Sequence, residues 1–199
     1  MSEKLAPDAA IRRLSSADRE AFRAHLLRLD AESRHDRFLG GASDEFLNHY
    51  ADHCFAPLDV IFGAYIDGQL RGAGELRPLA ADVADEFSDG EAGHAEAAFS
   101  VERPFRRRGL GIGLFEHLTL AAQSQQIIEI DFTCGADNKA MQSLARKFDA
   151  EMRFAADHVT GRLRASRPAG RRPGSAPSAS PPGSLAGPPS RSQRGELGR

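Results

Sequence analysis

Two patterns are missing from this sequence of 199 residues: a cysteine framework and a long apolar run. Its only two cysteines, Cys54 and Cys134, exclude a disulfide scaffold and suit a reducing compartment. No apolar stretch approaches the roughly 18 residues that a membrane span needs, and residues 1–7 lack the apolar core of a signal peptide. The sequence therefore predicts a cytoplasmic protein that does not enter a membrane.

The sequence also has little net charge, because its 26 basic and 28 acidic side chains nearly cancel and leave −2. The balance is uneven, however. Residues 166–199 carry six arginines and one acid, a net charge of +5, which leaves about −7 on residues 1–165. An acidic folded part argues against nucleic acid as its partner. The terminal arginines leave open a weaker idea, that this segment binds RNA or anionic surfaces.

The composition changes abruptly near residue 166. Of the last 34 residues, 26 are Pro, Gly, Ser or Arg. Such a segment cannot bury enough apolar surface to offset its ordering entropy, so we expect residues 166–199 to be a disordered tail. With 41% apolar residues the chain can bury one core, which predicts a single domain over residues 1–165.

A metal site is not expected. His49 and His53 share a helix face and lie next to Cys54, but Tyr50 stands where a zinc protease would place its catalytic glutamate. The sequence has no second cluster of histidine and cysteine. Ordinary helix residues are the better interpretation.

Periodicity and turn signals predict an alternating succession of strands and helices. Strands are expected at residues 9–14, 60–66, 69–76, 95–101, 127–133, 152–154 and 159–163. Helices are expected at residues 15–29, from Ser43, at residues 109–123 and after Asn138. Residues 30–38 are expected to form a polar connection, and residues 78–93 a loop.

That second loop carries acidic side chains and no basic one: Asp82, Asp85, Glu86, Asp89 and Glu91. The simpler interpretation is a solvated loop. The functional alternative is an acidic lip that attracts a cationic substrate.

The most informative stretch is residues 106–118, where a basic, glycine-containing turn joins a strand to a helix. Helix N-termini present unpaired N–H groups and partial positive charge, which favour bound anions. Gly109 and Gly111 let the backbone approach a ligand, while Arg106, Arg107 and Arg108 add formal charge. The stretch therefore predicts a binding site for a pyrophosphate.

Two alternatives compete for this stretch. One is a plain helix start with a solvated basic turn. The other is a dinucleotide-binding fingerprint, since Asp131 lies near the expected distance for its acidic residue. Leu114 occupies the third glycine position of that fingerprint, however, and about a hundred residues precede the motif.

Arg106, Gly109 and Gly111 also fill the pattern Arg/Gln-x-x-Gly-x-Gly/Ala, so the chain resembles the GCN5-related N-acetyltransferases (GNAT). The likeness covers nearly all of the chain outside the tail. It implies an α/β (α+β) fold with a central mixed, mostly antiparallel twisted sheet. About seven strands and about four flanking helices are expected, with a cofactor cleft between the fourth and fifth strands.

Within that family the chain is most similar to the acetyltransferase domain of bacterial protein lysine acetyltransferases. Three stretches carry the likeness: Ser33-Arg34 with Arg37-Phe38, then Ala95-Glu96-Ala97-Ala98, and finally Asn138, Met141, Leu144 and Ala145. Two departures stand out. Ala145 replaces the tyrosine that many members use as general acid, and Asp149-Ala150 replaces a Gly-Phe pair.

The resemblance implies transfer of an acetyl group from acetyl-CoA to an amine acceptor, without a metal, by a monomer or homodimer. Glu96 is the candidate general base, although a structural ion pair with an arginine would also explain it. The implied cofactor-binding residues are Phe99, Ser100, Val101, Arg106, Arg107, Arg108, Gly109, Leu110, Gly111, Ile112 and Asn138. Backbone N–H groups near residues 99–101 would hold the thioester carbonyl. Asn138 is equally a helix cap, and an inactive CoA-binding sensor is the alternative function.

Overall fold

A computed structural model describes residues 5–79 and 93–165, whose strands form one seven-stranded sheet in the order β1-β2-β3-β4-β5-β7-β6. The strands are β1 (Ala9–Arg13), β2 (Val60–Ile66), β3 (Gln69–Pro78), β4 (Gly93–Val101), β5 (Ile127–Gly135), β6 (Glu151–Phe154) and β7 (His158–Arg164). The helices are α1 (Arg19–Leu27), α2 (Ala31–Phe38), α3 (Asp44–His53), α4 (Leu110–Ser124) and α5 (Lys139–Lys147). Only the β4–β5 pair is parallel, which confirms the predicted mixed, mostly antiparallel sheet.

Strands β4 and β5 separate part-way along their length. They are paired only from Gly93 to Glu96 on β4, and Glu96 lies opposite Asp131. Beyond that point β4 continues to Val101 paired with β3 alone, while β5 continues paired with β7. A wedge therefore opens between the fourth and fifth strands, where the sequence predicts the cofactor cleft. Alternate N–H and C=O groups of residues 97–101 face this wedge instead of a neighbouring strand.

Helices cover both faces of the sheet. On one face, Phe22 and Leu26 of α1 are fully buried and belong to the same apolar cluster as Ala73 of β3. On the other face, α4 approaches β3 so closely that a Cβ on Gly74 would lie 3.2 Å from Leu118 Cδ1. Burying a large apolar side chain contributes about 1.5–3 kcal/mol to stability. The centre of the sheet is therefore packed on both faces.

The sequence prediction was wrong for residues 30–38, which form helix α2, so the described residues contain five α-helices. Asp30 caps the helix, because its side chain accepts a hydrogen bond from the Ser33 N–H at 2.8 Å. The helix ends where Leu39 adopts a left-handed conformation with φ of 53°. Its inward side chains are Ser33, which is buried, and arginines, so no apolar period marks the helix in the sequence.

The remaining elements agree with the sequence within a few residues. The expected first helix is split into one 3₁₀ turn, Ser16–Asp18, and α1. Strand β3 reaches Pro78 and β4 begins at Gly93, which shortens the expected loop. Its five acids and the tail of residues 166–199 lie outside the described residues. Among those described, no helix is both long and apolar enough to cross a membrane.

Candidate active site

The turn between β4 and α4 has the geometry of an anion-binding loop. Gly109 adopts φ of 77° at the helix N-cap, a conformation that glycine reaches without strain. Its carbonyl accepts from the Gly113 N–H at 3.0 Å, so the N–H groups of Leu110, Gly111 and Ile112 precede the first helical bond. A Cβ on Gly111 would have only Leu144 Cδ2 near it, at 3.7 Å. Space therefore remains above the helix end for a ligand.

This turn forms one end of a cleft of about 320 Å³ between β4, α4, α5 and α2. Ten of the predicted cofactor-binding residues line it: Phe99, Ser100, Val101, Arg106, Arg107, Gly109, Leu110, Gly111, Ile112 and Asn138. Arg108 is the exception, and its guanidinium lies 5.4 Å from the centre of the Phe105 ring. The structure thus brings the cofactor set together apart from that one side chain.

Arg106 connects the turn to α2. Its Nε donates to the Val101 carbonyl at 3.2 Å, and its Nη2 donates to Ser33 Oγ at 2.8 Å. Both contacts fix the guanidinium at the wall of the cleft. Ser33, part of the stretch that carries the family resemblance, therefore positions a charge next to the candidate pyrophosphate site.

The cleft also contains charged residues that the sequence did not indicate. Lys139 and Lys147 line it on α5, and Asp36 lines it on α2. Burial raises the pKa of Asp36, while Arg106 acts in the opposite direction. With Arg106 and Arg107, the cationic side chains outnumber the single carboxylate, as suits a polyanionic ligand.

Helix α5 supplies the opposite wall. Asn138 is its N-cap, because Asn138 Oδ1 accepts from the Met141 N–H at 2.9 Å. The residue is thus a helix cap and a lining residue at once. Ala145 lies on the same helix and is fully buried, and its methyl side chain has no hydroxyl to offer.

Glu96 lies on β4 at the last position that pairs with β5, and its side chain is exposed. Across the sheet it faces Arg77, whose guanidinium is 3.5 Å from Asp59. Within residues 5–79 and 93–165, no arginine or lysine forms an ion pair with Glu96. The alternative of a structural ion pair is therefore not found in that part of the chain.

A second, smaller cavity of about 110 Å³ lies beside Glu96, on the face of the sheet that carries α1 and α3. Its base is a buried cluster that the sequence did not indicate. Arg37 Nη2 donates to Glu75 Oε1 at 2.7 Å and to Tyr50 Oη at 2.7 Å, and Tyr50 Oη donates to Glu75 Oε2 at 2.6 Å. Burial, and secondly the charge of Glu75, raise the pKa of Tyr50. Ala98 and Leu76 add apolar surface.

The histidine pair on α3 shows no metal-site geometry. The rings of His49 and His53 are 4.3 Å apart, and His53 Nδ1 lies 2.8 Å from the His49 carbonyl. Across the described residues, no three His, Cys, Asp or Glu side chains are grouped closely enough to hold a metal ion.

Comparisons with known proteins bear on the family and the fold of the chain. The model of the acetyltransferase (GNAT) family matches residues 23–150. No curated protein matches the sequence at a significant level.

Several solved structures share the fold. The GNAT domain of S. lividans PAT superposes with a TM-score of 0.65 at 19% identity, covering 78% of this chain and 90% of that one. The ribosomal-protein-S18-alanine N-acetyltransferase of Escherichia coli gives 0.59 at 16% identity, covering 82% and 97%. The ribosomal-protein-alanine N-acetyltransferase of Brucella melitensis gives 0.58 at 17% identity, covering 78% and 99%.

Proposed function

Because the chain belongs to the GNAT acetyltransferase family, we propose that it transfers an acetyl group from acetyl-CoA to an amine by direct attack. The observation that carries this proposal is the wedge between β4 and β5, which ends at an open helix N-terminus beside basic side chains. An extended chain with a polyanionic end fits a slot of this kind.

The cofactor would be held mainly by main-chain groups. The N–H groups of residues 110–112 and the charge of Arg107 suit the pyrophosphate. The unpaired edge of β4 at residues 99–101 suits the amide groups of the pantetheine arm, which would pair like an added strand. Asn138 lies on the opposite wall.

Glu96 is the general base in this proposal. An alkyl ammonium has a pKa of about 10.4 and must lose its proton before it can attack a thioester. The exposed Glu96 carboxylate borders the small cavity and is not engaged by a basic side chain of the described residues, which leaves it available to an incoming amine.

The small cavity favours an amine on a slender stem. Its volume of about 110 Å³ suits a short alkyl chain better than a bulky ring system. Three acids, Asp59, Glu75 and Glu96, border it with two arginines, Arg37 and Arg77, so one negative charge is in excess. A lysine-type side chain of a protein fits this description, as does a small alkylamine. The residues that resemble those of bacterial protein lysine acetyltransferases favour a protein lysine over a small alkylamine as the acceptor.

Replacing Glu96 with glutamine tests the mechanism. Glu96→Gln keeps the shape but cannot accept the proton, so turnover on an amine should fall about 10²–10⁴-fold. Acetyl-CoA affinity, measured by calorimetry, should change little, because the cleft is lined by other residues. Full turnover in the variant would remove Glu96 from the mechanism.

The second candidate function is a CoA-binding sensor without catalysis, which the buried Ala145 favours because no tyrosine stands there to protonate the leaving thiolate. A panel of primary amines, assayed with the wild type for acetylated product, separates the two functions. Bound acetyl-CoA without any acetylated amine would support the sensor.

A further inference from the structure

Three buried polar side chains form a hydrogen-bonded series from α1 to the end of β4. His25 of α1 is fully buried. Its Nε2 lies 2.9 Å from Ser100 Oγ, and its Nδ1 lies 3.1 Å from Glu102 Oε1. Ser100 also lines the cleft proposed for acyl-CoA. A hydroxyl, an imidazole and a carboxylate are thus joined in order at the wall of that cleft.

The other partners of Glu102 determine where the protons lie. Arg28 Nε donates to Oε1 and Arg71 Nη1 donates to Oε2, each at 2.9 Å. Burial alone would raise the pKa of Glu102, but hydrogen bonds from His25, Arg28 and Arg71 lower it to about 2. The ionised carboxylate can only accept, so His25 Nδ1 carries the proton.

Nε2 of His25 is then left to accept the proton of the Ser100 hydroxyl. Burial also lowers the pKa of His25, which keeps the ring neutral. This tautomer, with the carboxylate behind the imidazole, is the arrangement in which a histidine acts as base towards a serine.

We propose that Ser100, His25 and Glu102 form a second catalytic unit, which hydrolyses the thioester of a bound acyl-CoA when no amine is present. This rests on the proposed function, because acyl-CoA must occupy the cleft. Ser100 and Glu96 lie on the same face of β4, two alternate positions and about 13 Å apart along the strand. The unit therefore acts on an acyl group that lies farther from the β4–β5 junction than one next to Glu96.

The reaction proceeds in two steps. In the first, Ser100 Oγ bonds to the thioester carbonyl carbon and its proton passes to His25 Nε2. The C–S bond then breaks, and the sulfur keeps the electron pair and takes that proton, which releases CoA. In the second, a water oxygen bonds to the acyl carbon as His25 Nε2 accepts its proton. Ser100 leaves and regains the proton, so the products are a carboxylic acid and unchanged protein. Backbone N–H groups of residues 97–101 facing the wedge would stabilise the oxyanion.

The test incubates the full chain with acetyl-CoA in the absence of amine and measures acetate and free CoA by chromatography. The wild type should release both faster than the solution without protein. Ser100→Ala should release acetate at least about a hundredfold more slowly, because it lacks the nucleophile. Ser124→Ala, at the exposed end of α4, is the matched control and should hydrolyse at the wild-type rate.

Ser100→Cys keeps a nucleophile of similar size and distinguishes chemistry from packing. Acid-quenched samples of this variant and of the wild type should carry an acetyl group at position 100, located by peptide mass spectrometry. Calorimetry with acetyl-CoA on each variant shows whether the cleft still binds.

The outcomes separate the two proposals. Acetyl-CoA that binds without acetate release above background, or Ser100→Ala hydrolysing as fast as Ser124→Ala, overturns the hydrolytic unit and leaves amine transfer standing. Acetate release with acetylated position 100, but without transfer to any amine, supports the unit and counts against the proposed transferase. Failure of acetyl-CoA to bind overturns both.

Discussion

The two cavities beside β4 are built in different ways. The larger cleft is bounded at the N-terminus of α4 by main-chain groups of one contiguous stretch, with Gly109 and Gly111 at its centre. The smaller cavity is built from side chains of five separate elements, with Arg37, Tyr50 and Glu75 hydrogen-bonded to one another at its base. The first depends on backbone conformation and open space, whereas the second depends on mutual pairing of buried charges.

This difference predicts how each cavity responds to substitution. A main-chain site loses ligand affinity when its space is filled, while the fold is unaffected. A buried ion pair instead leaves an uncompensated charge when one partner is removed, which destabilises the fold itself. Three substitutions test this contrast.

The largest effect is expected from Arg37→Met. The Glu75 and Arg37 side chains are only 7% and 10% exposed, so removing the guanidinium leaves a buried carboxylate that still accepts from the Tyr50 hydroxyl but has lost its paired charge. The free energy of unfolding should fall by about 3–5 kcal/mol, measured by urea denaturation at pH 7.

The double variant Arg37→Met/Glu75→Leu serves as the control. Replacing both charges by apolar groups of similar volume should restore much of the lost stability. A single variant as stable as the wild type would show that the pair contributes little and that the two cavities do not differ in this respect.

The same contrast explains which parts of the molecule could be predicted. The geometry of the turn between β4 and α4 was predictable because its determinants are adjacent in the sequence. The wedge followed from the family resemblance carried by that turn. The paired Glu75 was not predictable, since a carboxylate at an inward position of β3 is stable only because Arg37 and Tyr50, which are 38 and 25 positions away, reach it.

Two further features escaped prediction for related reasons. Helix α2 has a polar inward side, so no apolar periodicity marked it, although Asp30 stood at its N-cap. His25 is one polar residue on an otherwise apolar helix stripe. Its significance depends on Ser100 and Glu102, which lie 75 and 77 positions away. Local motifs can be recognised in a sequence, but pairings across the fold cannot.

An intermediate effect is expected from Gly111→Asp, which tests the main-chain cleft. The new side chain would occupy the space above the helix end and place a negative charge beside the candidate pyrophosphate site. Acetyl-CoA affinity should fall by about tenfold or more, equivalent to roughly 1.5–3 kcal/mol, as measured by calorimetry.

The melting temperature of this variant should stay close to that of the wild type, because a Cβ at position 111 meets only Leu144 at an ordinary contact distance. Gly111→Ala is the matched control and should weaken binding less. Unchanged affinity in Gly111→Asp would place the pyrophosphate elsewhere.

The smallest effect is expected from Asp18→Asn. Asp18 belongs to a cluster of paired side chains, as the base of the small cavity does, but this cluster is exposed to water. Asp18 accepts from Arg12 Nη2 at 2.6 Å and from the Ser15 N–H at 2.9 Å. The hydrogen bond from Arg12, and then that from Ser15, lower the pKa of Asp18 from its ordinary 3.8 to about 2. Because the folded pKa is the lower one, the carboxylate stabilises the fold above pH 3.8, and this contribution is lost as the pH falls to about 2.

The Arg12 side chain is 51% exposed, so screening limits the contribution to about 1 kcal/mol. Asp18→Asn should therefore lower the free energy of unfolding by no more than this at pH 7, and the difference should vanish as the pH falls below about 2. Urea denaturation across this pH range measures it, with Asp67→Asn in the exposed β2–β3 turn as a control for net charge. A loss as large as that of Arg37→Met would show that burial does not set the size of the effect.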